Sequence, residues 1–198
     1  MQSKRAVPDP LDNVAPVTEI AAQLAERLEA AGCEYAFGGA IALGYWTEPR
    51  GTIDVDVTLY LSVDDVSQTI AMLRRVGVQF IEASAKESLE QHGFCRVEFL
   101  SRRLDVFLPI ASFYDAAKRR RRRVVMGPRE AYIWDAETLC VFKMMFFRRK
   151  DLVDVESILR NQGPALDRAW IEQALLDLYG QRDPRINQWR ELAAEAGG

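Results

Sequence analysis

The stretch Gly38-Gly39, followed by Arg50-Gly-Thr-Ile-Asp-Val-Asp56, decides how the rest of the chain is interpreted. Aspartate is disfavoured in β-strands, yet Asp54 and Asp56 lie within a run of β-branched residues that predicts a strand. Residues i and i+2 of a strand project to the same face, so the two carboxylates are expected side by side. Three apolar neighbours are then expected to face the core: Ile53, Val55 and Val57.

This pair of carboxylates suits a magnesium ion. Two close carboxylates repel each other unless a cation or a proton lies between them. Mg²⁺ commonly takes one or two carboxylates together with substrate phosphates, so Asp54 and Asp56 are candidate metal ligands. The alternative is a solvated strand face on which Asp54 pairs with Arg50.

The glycine pair lies where a short predicted strand, 35–39, gives way to a short predicted helix, 40–46. Glycine lets a phosphate approach the backbone closely, and the N-terminus of the following helix favours an anion. Gly38 and Gly39 are therefore candidate nucleotide-binding residues, although glycine pairs also form ordinary turns.

A third acid, Asp105, lies in the otherwise apolar strand Arg103-Leu-Asp-Val-Phe-Leu108. If this strand lies beside the one that carries Asp54 and Asp56, three carboxylates converge. Such a cluster can hold two metal ions and activate a hydroxyl group for in-line attack on phosphorus. The alternative is a salt bridge from Asp105 to Arg102 or Arg103.

Lys143 lies in the strongly apolar segment 139–147, so its ammonium group needs an anion beside it. That anion is either the triphosphate of a nucleotide or one of two downstream carboxylates, Asp151 and Asp154. Lys150 and Asp151 are themselves open to two interpretations. They either contact the site, or they begin a helix with Asp151 as its N-cap and Asp154 in its first turn.

Six consecutive cations, Lys118–Arg123, form the most basic stretch of the chain. Such a run repels itself unless it is solvated or faces an anion. It is either a contact for an RNA backbone or a triphosphate, or a solvated helix end that the helix dipole favours. Arg123 is expected to point inward, because strand residues follow it.

Composition excludes several classes of protein. The chain has 48% hydrophobic residues, enough for a core, and a net charge of -3, so no basic field draws it onto nucleic acid or membrane. The single histidine excludes a histidine-rich metal site, and three dispersed cysteines argue against a disulfide framework or a zinc knuckle. The start, Met1–Pro10, lacks the apolar run of a signal peptide, and the longest uncharged stretch, 35–47, is too short for a membrane span. We therefore expect a cytoplasmic protein without a membrane partner.

Periodicity divides the chain into strands followed by helices. The predicted strands are 35–39, 52–61, 78–83, 94–100, 103–108, 124–126 and 132–134, with a hairpin turn at 101–102. The predicted helices are 14–31 with Thr18 as N-cap, 40–46, 63–76, 111–119, 136–147, 152–161, 166–179 and 185–194. This order predicts an α+β fold, with a sheet domain over 14–134 and a helical region over 135–198 packed on it.

The order of these pieces resembles the nucleotidyltransferase superfamily, which has the polymerase β-like fold. The pieces are a Gly-Gly pair, a short helix, Asp-x-Asp and a third aspartate on a later strand. In the second half, Asp135-Ala-Glu-Thr-Leu-Cys-Val-Phe-Lys143 and Arg149-Lys-Asp-Leu-Val-Asp-Val155, after Arg119–Val125, resemble the AbiEii-type nucleotidyltransferases. The resemblance covers roughly 35–159. Many members have Gly-Ser in place of Gly38-Gly39, so here only a backbone N–H is offered at the second position.

The resemblance implies a fold, an activity and a set of roles. The fold is a mixed β-sheet nucleotidyltransferase core with a C-terminal helical segment, and the activity is Mg²⁺-dependent transfer of a nucleoside monophosphate from an NTP to an acceptor. The implied catalytic and metal-binding residues are Asp54, Asp56 and Asp105. The implied nucleotide-binding residues are Gly38, Gly39, Arg50 and Lys143. Three further residues are implied as contacts for the acceptor or for phosphate: Arg123, Lys150 and Asp151.

The acceptor stays open at this point. The AbiEii-type resemblance implies tRNA or a protein, a toxin-like role and an antitoxin protein as partner. The alternatives are a small-molecule nucleotidyltransferase of the aminoglycoside-modifying kind and a non-catalytic nucleotide-binding or protein-binding module on the same fold. The presence of all three carboxylates argues against the last of these.

Overall fold

The computed structural model describes residues 16–196 of the 198-residue chain. The predicted start Met1–Pro10, the first residues of the predicted helix 14–31 and the last two residues therefore lie outside the described part. The elements, in chain order, are α1 Val17–Ala30, β1 Tyr35–Phe37, α2 Gly39–Trp46, β2 Asp54–Leu59, α3 Val66–Arg75, α4 Glu82–His92, β3 Phe94–Phe99, β4 Arg102–Phe107, α5 Phe113–Arg120, β5 Arg122–Met126, β6 Arg129–Ile133, α6 Ala136–Phe146, α7 Arg149–Gln162, α8 Arg168–Tyr179 and α9 Pro184–Glu195.

The strands form one mixed sheet in the order β3-β4-β2-β1-β6-β5. Strand β2 pairs in parallel with β4 and antiparallel with β1, while β1 pairs in parallel with β6. The two outer pairs, β3 with β4 and β5 with β6, are antiparallel hairpins. This arrangement confirms the predicted α+β class with a mixed sheet.

Apolar side chains of α1 and of the central strands form the core. Helix α1 buries Ile20, Leu24 and Leu28 at the spacing of one helical face, and it packs across β1, β2, β5 and β6. Strand β2 buries Val55 and Val57 and turns the alternate residues, Asp54 and Asp56, to the opposite face. The sheet therefore has one face committed to the core and another that is free to carry polar groups in its β2–β4 half.

The helices after β6 pack back onto the front of the chain. Asp135 caps α6 by accepting a hydrogen bond from the Thr138 N–H, at 2.9 Å, and α6 packs against α2, α7 and α8. A single cluster of buried apolar residues runs from the sheet into these helices. We keep the boundary between 14–134 and 135–198 as an interpretation of how the chain is organised.

Several sequence-based predictions differ from the structure at element ends. The predicted strand 78–83 is wrong, because it contains only an isolated bridge between Gln79 and Glu98 and then enters α4. Helix α4 escaped prediction because it buries only Ala85 and Leu89, too few for a periodic signal. Thr18 was predicted as the N-cap of the first helix, but Pro16, two residues earlier, occupies that position and supplies no side-chain cap.

Ile53 was expected in the core, and this prediction is wrong. Its relative exposure is 66%, because β2 begins only at Asp54 and no neighbouring strand covers the residue before it. The turn between β3 and β4 lies at Leu100-Ser101, one residue earlier than predicted, and both residues have positive φ.

Two further observations on the described chain concern its helices and its cysteines. Within residues 16–196, no helix has both the length and the apolar character needed to cross a bilayer. The three cysteines, Cys33, Cys95 and Cys140, are buried and unpaired with one another.

Candidate active site

Strand register places the three predicted carboxylates on one face of the sheet. In the parallel pair of β2 and β4, Asp56 lies opposite Asp105 and Asp54 lies opposite Arg103. Asp54 and Asp56 alternate with buried Val55, so both carboxylates project to the same side. The strand that carries Asp105 is thus the neighbour of the strand that carries the Asp-x-Asp pair, as the convergence of three carboxylates requires.

Strand β3 adds a third column to this face. Arg96 lies opposite Asp105, Phe94 lies opposite Phe107 and Glu98 lies opposite Arg103. Three rows therefore cross β2, β4 and β3: Asp54–Arg103–Glu98, Asp56–Asp105–Arg96 and Thr58–Phe107–Phe94. We call these nine residues the site face.

Asp56 is the most enclosed carboxylate of the Asp-x-Asp pair. Burial raises the pKa of its carboxyl above the usual value, and the charge of Asp105 raises it further. Lys143, Lys150 and Arg148 oppose this rise through their charges. No salt bridge joins the Asp56 carboxylate to any residue between 16 and 196. Asp56 is therefore a largely buried carboxylate that has no salt-bridge partner among the described residues, although three cations lie near it.

Asp54 and Asp105 both have arginine partners. The sequence-based alternative paired Asp54 with Arg50, but in the structure Asp54 pairs with Arg103. The Oδ1 atom of Asp54 is buried without a hydrogen-bond partner. Asp105 accepts two hydrogen bonds from Arg96, at 2.8 and 3.0 Å, and lies 3.9 Å from Arg103. The predicted alternative for Asp105, a salt bridge, is therefore present, with Arg96 as the main partner.

The donor atoms fit a magnesium ion at Asp54 and Asp56. An unpartnered buried oxygen on Asp54 and an unpaired carboxylate on Asp56 are oxygen ligands of the kind that Mg²⁺ takes together with substrate phosphates. Within the described residues, no group of three or more His, Cys, Asp or Glu side chains forms a metal-sized cluster. Both Asp105 oxygens are engaged by Arg96 in this arrangement, so its role as a metal ligand stays a proposal.

Gly38 and Gly39 lie directly against Asp56. The Gly38 N–H donates to the Asp56 carbonyl oxygen at 3.0 Å, and α2 begins at Gly39, which has φ +55°. A Cβ atom built on Gly39 would lie 2.6 Å from Asp56 Cγ and closer still to a carboxylate oxygen. Glycine is therefore required here by the backbone conformation and by the space that Asp56 occupies.

We expect Gly39→Ala to disturb Asp56 more than it disturbs the fold. The added methyl group must displace the Asp56 side chain, and the positive φ adds strain of about 1 kcal/mol. Mg²⁺-dependent nucleotide binding, measured by titration calorimetry, should weaken at least about tenfold while the melting temperature falls only modestly. Gly51→Ala is the matched control, because a Cβ there meets nothing within 4 Å. Equal binding by both variants would remove Gly39 from the site.

Lys143 forms a buried ion cluster with the two downstream carboxylates. Its Nζ lies 2.6 Å from Asp154 Oδ2 and 3.6 Å from Asp151 Oδ1, and its side chain is 7% exposed. Arg50 joins from the other side, donating to Asp154 at 3.0 and 3.2 Å. Of the two interpretations of Lys143, the structure contains the ion pair, and contact with a triphosphate stays a proposal.

The start of helix α7 differs from the prediction that Asp151 is its N-cap. Arg148, not Asp151, is the N-cap residue, and the buried Asp151 carboxylate accepts hydrogen bonds from the Arg148 backbone and side chain. Burial alone would raise the pKa of Asp151, but the hydrogen bond from Arg148 and the charge of Lys143 hold it below the usual value. Asp154 lies beyond the first turn, and Asp151 is held away from solvent as a structural group.

Lys150 is the predicted site cation that remains without a carboxylate partner. It is exposed, it lines the same pocket as Asp54 and Asp56, and it makes no salt bridge within 16–196. An unpaired ammonium group beside two carboxylates is suited to a phosphate. Contact between Lys150 and a phosphate stays a prediction.

The prediction that Arg123 points inward is wrong. It lies on β5, the strand at the far edge of the sheet from β3; its side chain is 52% exposed and pairs with Glu130. Strand β5 turns it outward because its hairpin partner β6 provides the acid on the same surface. Arg123 does not line the pocket that holds Asp54 and Asp56.

Most side chains of the basic run Lys118–Arg123 form ion pairs within the protein. Lys118 and Arg121 pair with Glu34, and Arg120 pairs with Asp135 at 2.7 Å. The solvated-end interpretation thus needs amendment, because these cations hold α5 to β1 and α6. Among described residues, only two members of the run make no salt bridge: Arg119 and Arg122.

All residues of the site face except Glu98 line a pocket of about 640 Å³. Its walls come from the start of α2, from α6 and from the start of α7. Six lining residues are basic and three are acidic: Arg50, Arg96, Arg103, Lys143, Arg148 and Lys150 against Asp54, Asp56 and Asp105. His92 is exposed at the end of α4 and also lines this pocket.

Sequence reasoning missed Arg96 and Arg148 as members of the site. Arg96 lies on an edge strand, and only the register of β3 on β4 brings it beside Asp105. Arg148 gave a local signal, because it precedes Asp151 by the three residues of a reciprocal cap, but arginine is not a usual capping residue.

Comparison with known proteins identifies which known fold the chain has. No protein-family model and no curated protein matches the chain. Among solved structures, ANT(2'')-Ia in complex with adenylyl-2''-tobramycin matches with a TM-score of 0.53 and 12% identity, over 79% of this chain and 93% of that one. The lincosamide antibiotic adenylyltransferase LnuA, lincomycin-bound, matches with a TM-score of 0.51 and 10% identity, over 72% and 96%. The chain thus has the fold of nucleotidyltransferases.

Proposed function

We propose that the protein is a Mg²⁺-dependent nucleotidyltransferase that moves a nucleoside monophosphate from an NTP to a hydroxyl of an acceptor. The observation that carries this proposal is the pair Asp54 and Asp56, which presents unpartnered oxygens beside the glycine turn at the start of α2. Burial and the charge of Asp105 both disfavour the ionised form of Asp56, and a bound cation would offset that cost. The nucleotidyltransferase fold supports the same proposal.

The residues that would hold the triphosphate surround this pair. The backbone N–H groups at the start of α2 and the unpaired Lys150 face the pocket beside Asp56. Lys143 and Arg50 would add positive charge from the buried cluster with Asp154. Mg²⁺ held by Asp54 and Asp56 would neutralise charge on the phosphate oxygens.

The chemistry follows from in-line displacement. The acceptor oxygen forms a bond to the α-phosphorus, the bond from that phosphorus to the bridging oxygen breaks, and pyrophosphate leaves with the electron pair. The proton of the acceptor hydroxyl passes to a base. Asp105 is our candidate for that base and for a second metal ligand, because it lies opposite Asp56. To act in this way it must give up at least one of its hydrogen bonds from Arg96.

The acceptor predicted from the sequence resemblance is tRNA or a protein, with an antitoxin as partner, and the protein would act in the cytoplasm, where NTPs are made. The described structure offers little to an RNA backbone, because the basic run is largely paired internally and lies away from the pocket. A small molecule is the alternative acceptor, and a pocket of about 640 Å³ has the volume for one.

The proposal predicts label transfer from an α-labelled NTP that requires Mg²⁺. Protein, the four NTPs in turn and a mixture of acceptors should release pyrophosphate with Mg²⁺, and the rate should fall to background with excess chelator. Restoring Mg²⁺ should restore the rate. Titration calorimetry of each NTP with and without Mg²⁺ gives a second readout that needs no acceptor. NTP binding that ignores Mg²⁺, with no pyrophosphate release, would favour the non-catalytic binding module instead.

A further inference from the structure

The pocket has two ends with different chemistry. One end holds the start of α2, Lys143 and Lys150 and suits a triphosphate. The other end lies over β3 and β4, where Arg96 and Phe94 face the pocket next to Asp105. Because a hydroxyl must reach the phosphorus from the side opposite the leaving group, this second end is where an acceptor would lie.

Charge at the acceptor end opposes a cationic acceptor. The only carboxylates that line the pocket within the described chain are Asp54, Asp56 and Asp105, and all three belong to the proposed reaction centre. Arg96 and Arg103 occupy the positions around Asp105. A polyamine would meet guanidinium groups there and find no free carboxylate, which costs binding energy instead of contributing it.

Arg96 is positioned to bind an anion. Its side chain is 55% exposed, and it uses Nε and Nη2 to hold Asp105. Its remaining Nη1 makes no hydrogen bond to another described residue. A planar guanidinium group with free N–H groups binds carboxylate or phosphate well.

An aromatic surface lies beside Arg96. Phe94 and Phe107 pack across β3 and β4 with ring centroids 4.8 Å apart, and Phe107 meets Phe146 at 6.1 Å. Phe146 is 49% exposed and Ile110, at the same end of the pocket, is 60% exposed. We call Phe94, Phe107 and Phe146 the aromatic shelf. Phe94 and Phe107 are partly buried, so the shelf offers one exposed ring and parts of two others to a planar ligand ring.

We infer that the acceptor is a small, hydroxyl-bearing molecule with a planar ring and an anionic group, and this inference rests on the proposed function. The ring lies on the aromatic shelf and the anionic group binds the free face of Arg96. Sharing Arg96 with the acceptor anion weakens its hold on Asp105. The carboxylate that faces the acceptor hydroxyl is then released as the acceptor binds.

Three probes that share a ring, a hydroxyl group and a spacer but differ in the charge of their terminal group test this inference. 3-(4-Hydroxyphenyl)propionate, its amide and tyramine have the same ring, hydroxyl group and spacer, and they carry charges of -1, 0 and +1. At saturating Mg²⁺·NTP, pyrophosphate release should favour the propionate over the amide about tenfold in kcat/KM, with tyramine slowest. Arg96→Gln should abolish the preference, and Arg96→Glu should reverse it. Arg119→Gln, on an exposed residue of α5 away from the pocket, should keep it.

A second variant tests the shelf. Phe94→Leu keeps an apolar side chain but removes the ring, so it should weaken all three probes by a similar factor and leave their charge order unchanged. A preference for tyramine or tobramycin in the wild-type protein would overturn the inference. Faster labelling of total tRNA than of any small probe would overturn it as well.

Failure of the proposed function gives a different result. In that case no acceptor, including lincomycin, supports pyrophosphate release. The charge order of the probes is then measured as direct binding by saturation-transfer NMR, with the wild type and Arg96→Gln. An order of propionate, amide, tyramine that Arg96→Gln removes supports the anion site by itself, and equal binding of the three overturns it.

Discussion

Asp56→Asn is expected to reduce nucleotidyl transfer by more than about 100-fold while raising the melting temperature of the metal-free protein. The activity falls because the amide replaces a proposed metal ligand, and even groups that only orient such ligands cost about 10–100-fold when removed. The stability should rise because burial and the nearby charge of Asp105 both disfavour the ionised carboxylate and raise its pKa, and the neutral amide lacks this penalty. Label transfer and thermal unfolding, both with and without Mg²⁺, measure the two effects.

The control for this variant is its partner on the same strand face. Asp54→Asn should also abolish transfer, but it should gain less stability, because Asp54 already has Arg103 as a partner. Mg²⁺ should raise the melting temperature of the wild type in the presence of NTP and leave that of both variants unchanged. Full transfer by either variant would contradict the assignment of the metal ligands.

Lys143→Met is expected to destabilise the protein by about 3 kcal/mol. Removing one partner of a buried ion pair costs about 3–5 kcal/mol, because the other charge is left without compensation. The value should lie at the lower end, since Arg50 still reaches Asp154 and Arg148 still reaches Asp151. Denaturant titration gives the free energy of unfolding.

Two further variants isolate the charge of Lys143. Arg50→Met removes a partner that is 46% exposed and should cost about 1 kcal/mol or less. Adding Asp154→Asn to Lys143→Met should recover part of the loss, because the stranded carboxylate is then neutral. If Lys143 binds the triphosphate instead, Lys143→Met weakens NTP binding while the free energy of unfolding hardly changes. Repeating the titration with NTP separates the two roles.

The predictions that were confirmed rest on local sequence patterns. The two-residue spacing of Asp54 and Asp56 fixes their common face whatever surrounds the strand, because alternation is a property of the backbone itself. Helices α6 to α9 were predicted to within a few residues because apolar spacing and breaks at proline and glycine are also local. The α+β class followed from the order of these local signals.

The predictions that failed depended on partners far along the chain. The direction of Arg123 and the pairing of the basic run are decided by Glu130, Glu34 and Asp135, which the sequence does not mark as neighbours. Arg96 joined the site only through the register of β3 on β4. Ile53 looked like a core residue because β-branched side chains favour strands, but its position before the first paired residue exposes it.

The cluster of Arg50, Asp154 and Lys143 joins three separate parts of the chain: the loop before β2, helix α7 and helix α6. Proteins open locally in cooperative units, and a buried charge that loses its partners makes partial opening costly. Detaching α7 would leave Lys143 without its carboxylate partners. Opening the loop before β2 would leave Arg50 unpaired next to the strand that carries Asp54 and Asp56. We therefore expect the proposed nucleotide end of the pocket and the helical region to open as one unit, with amide protons on both sides of the cluster becoming exchangeable in the same event.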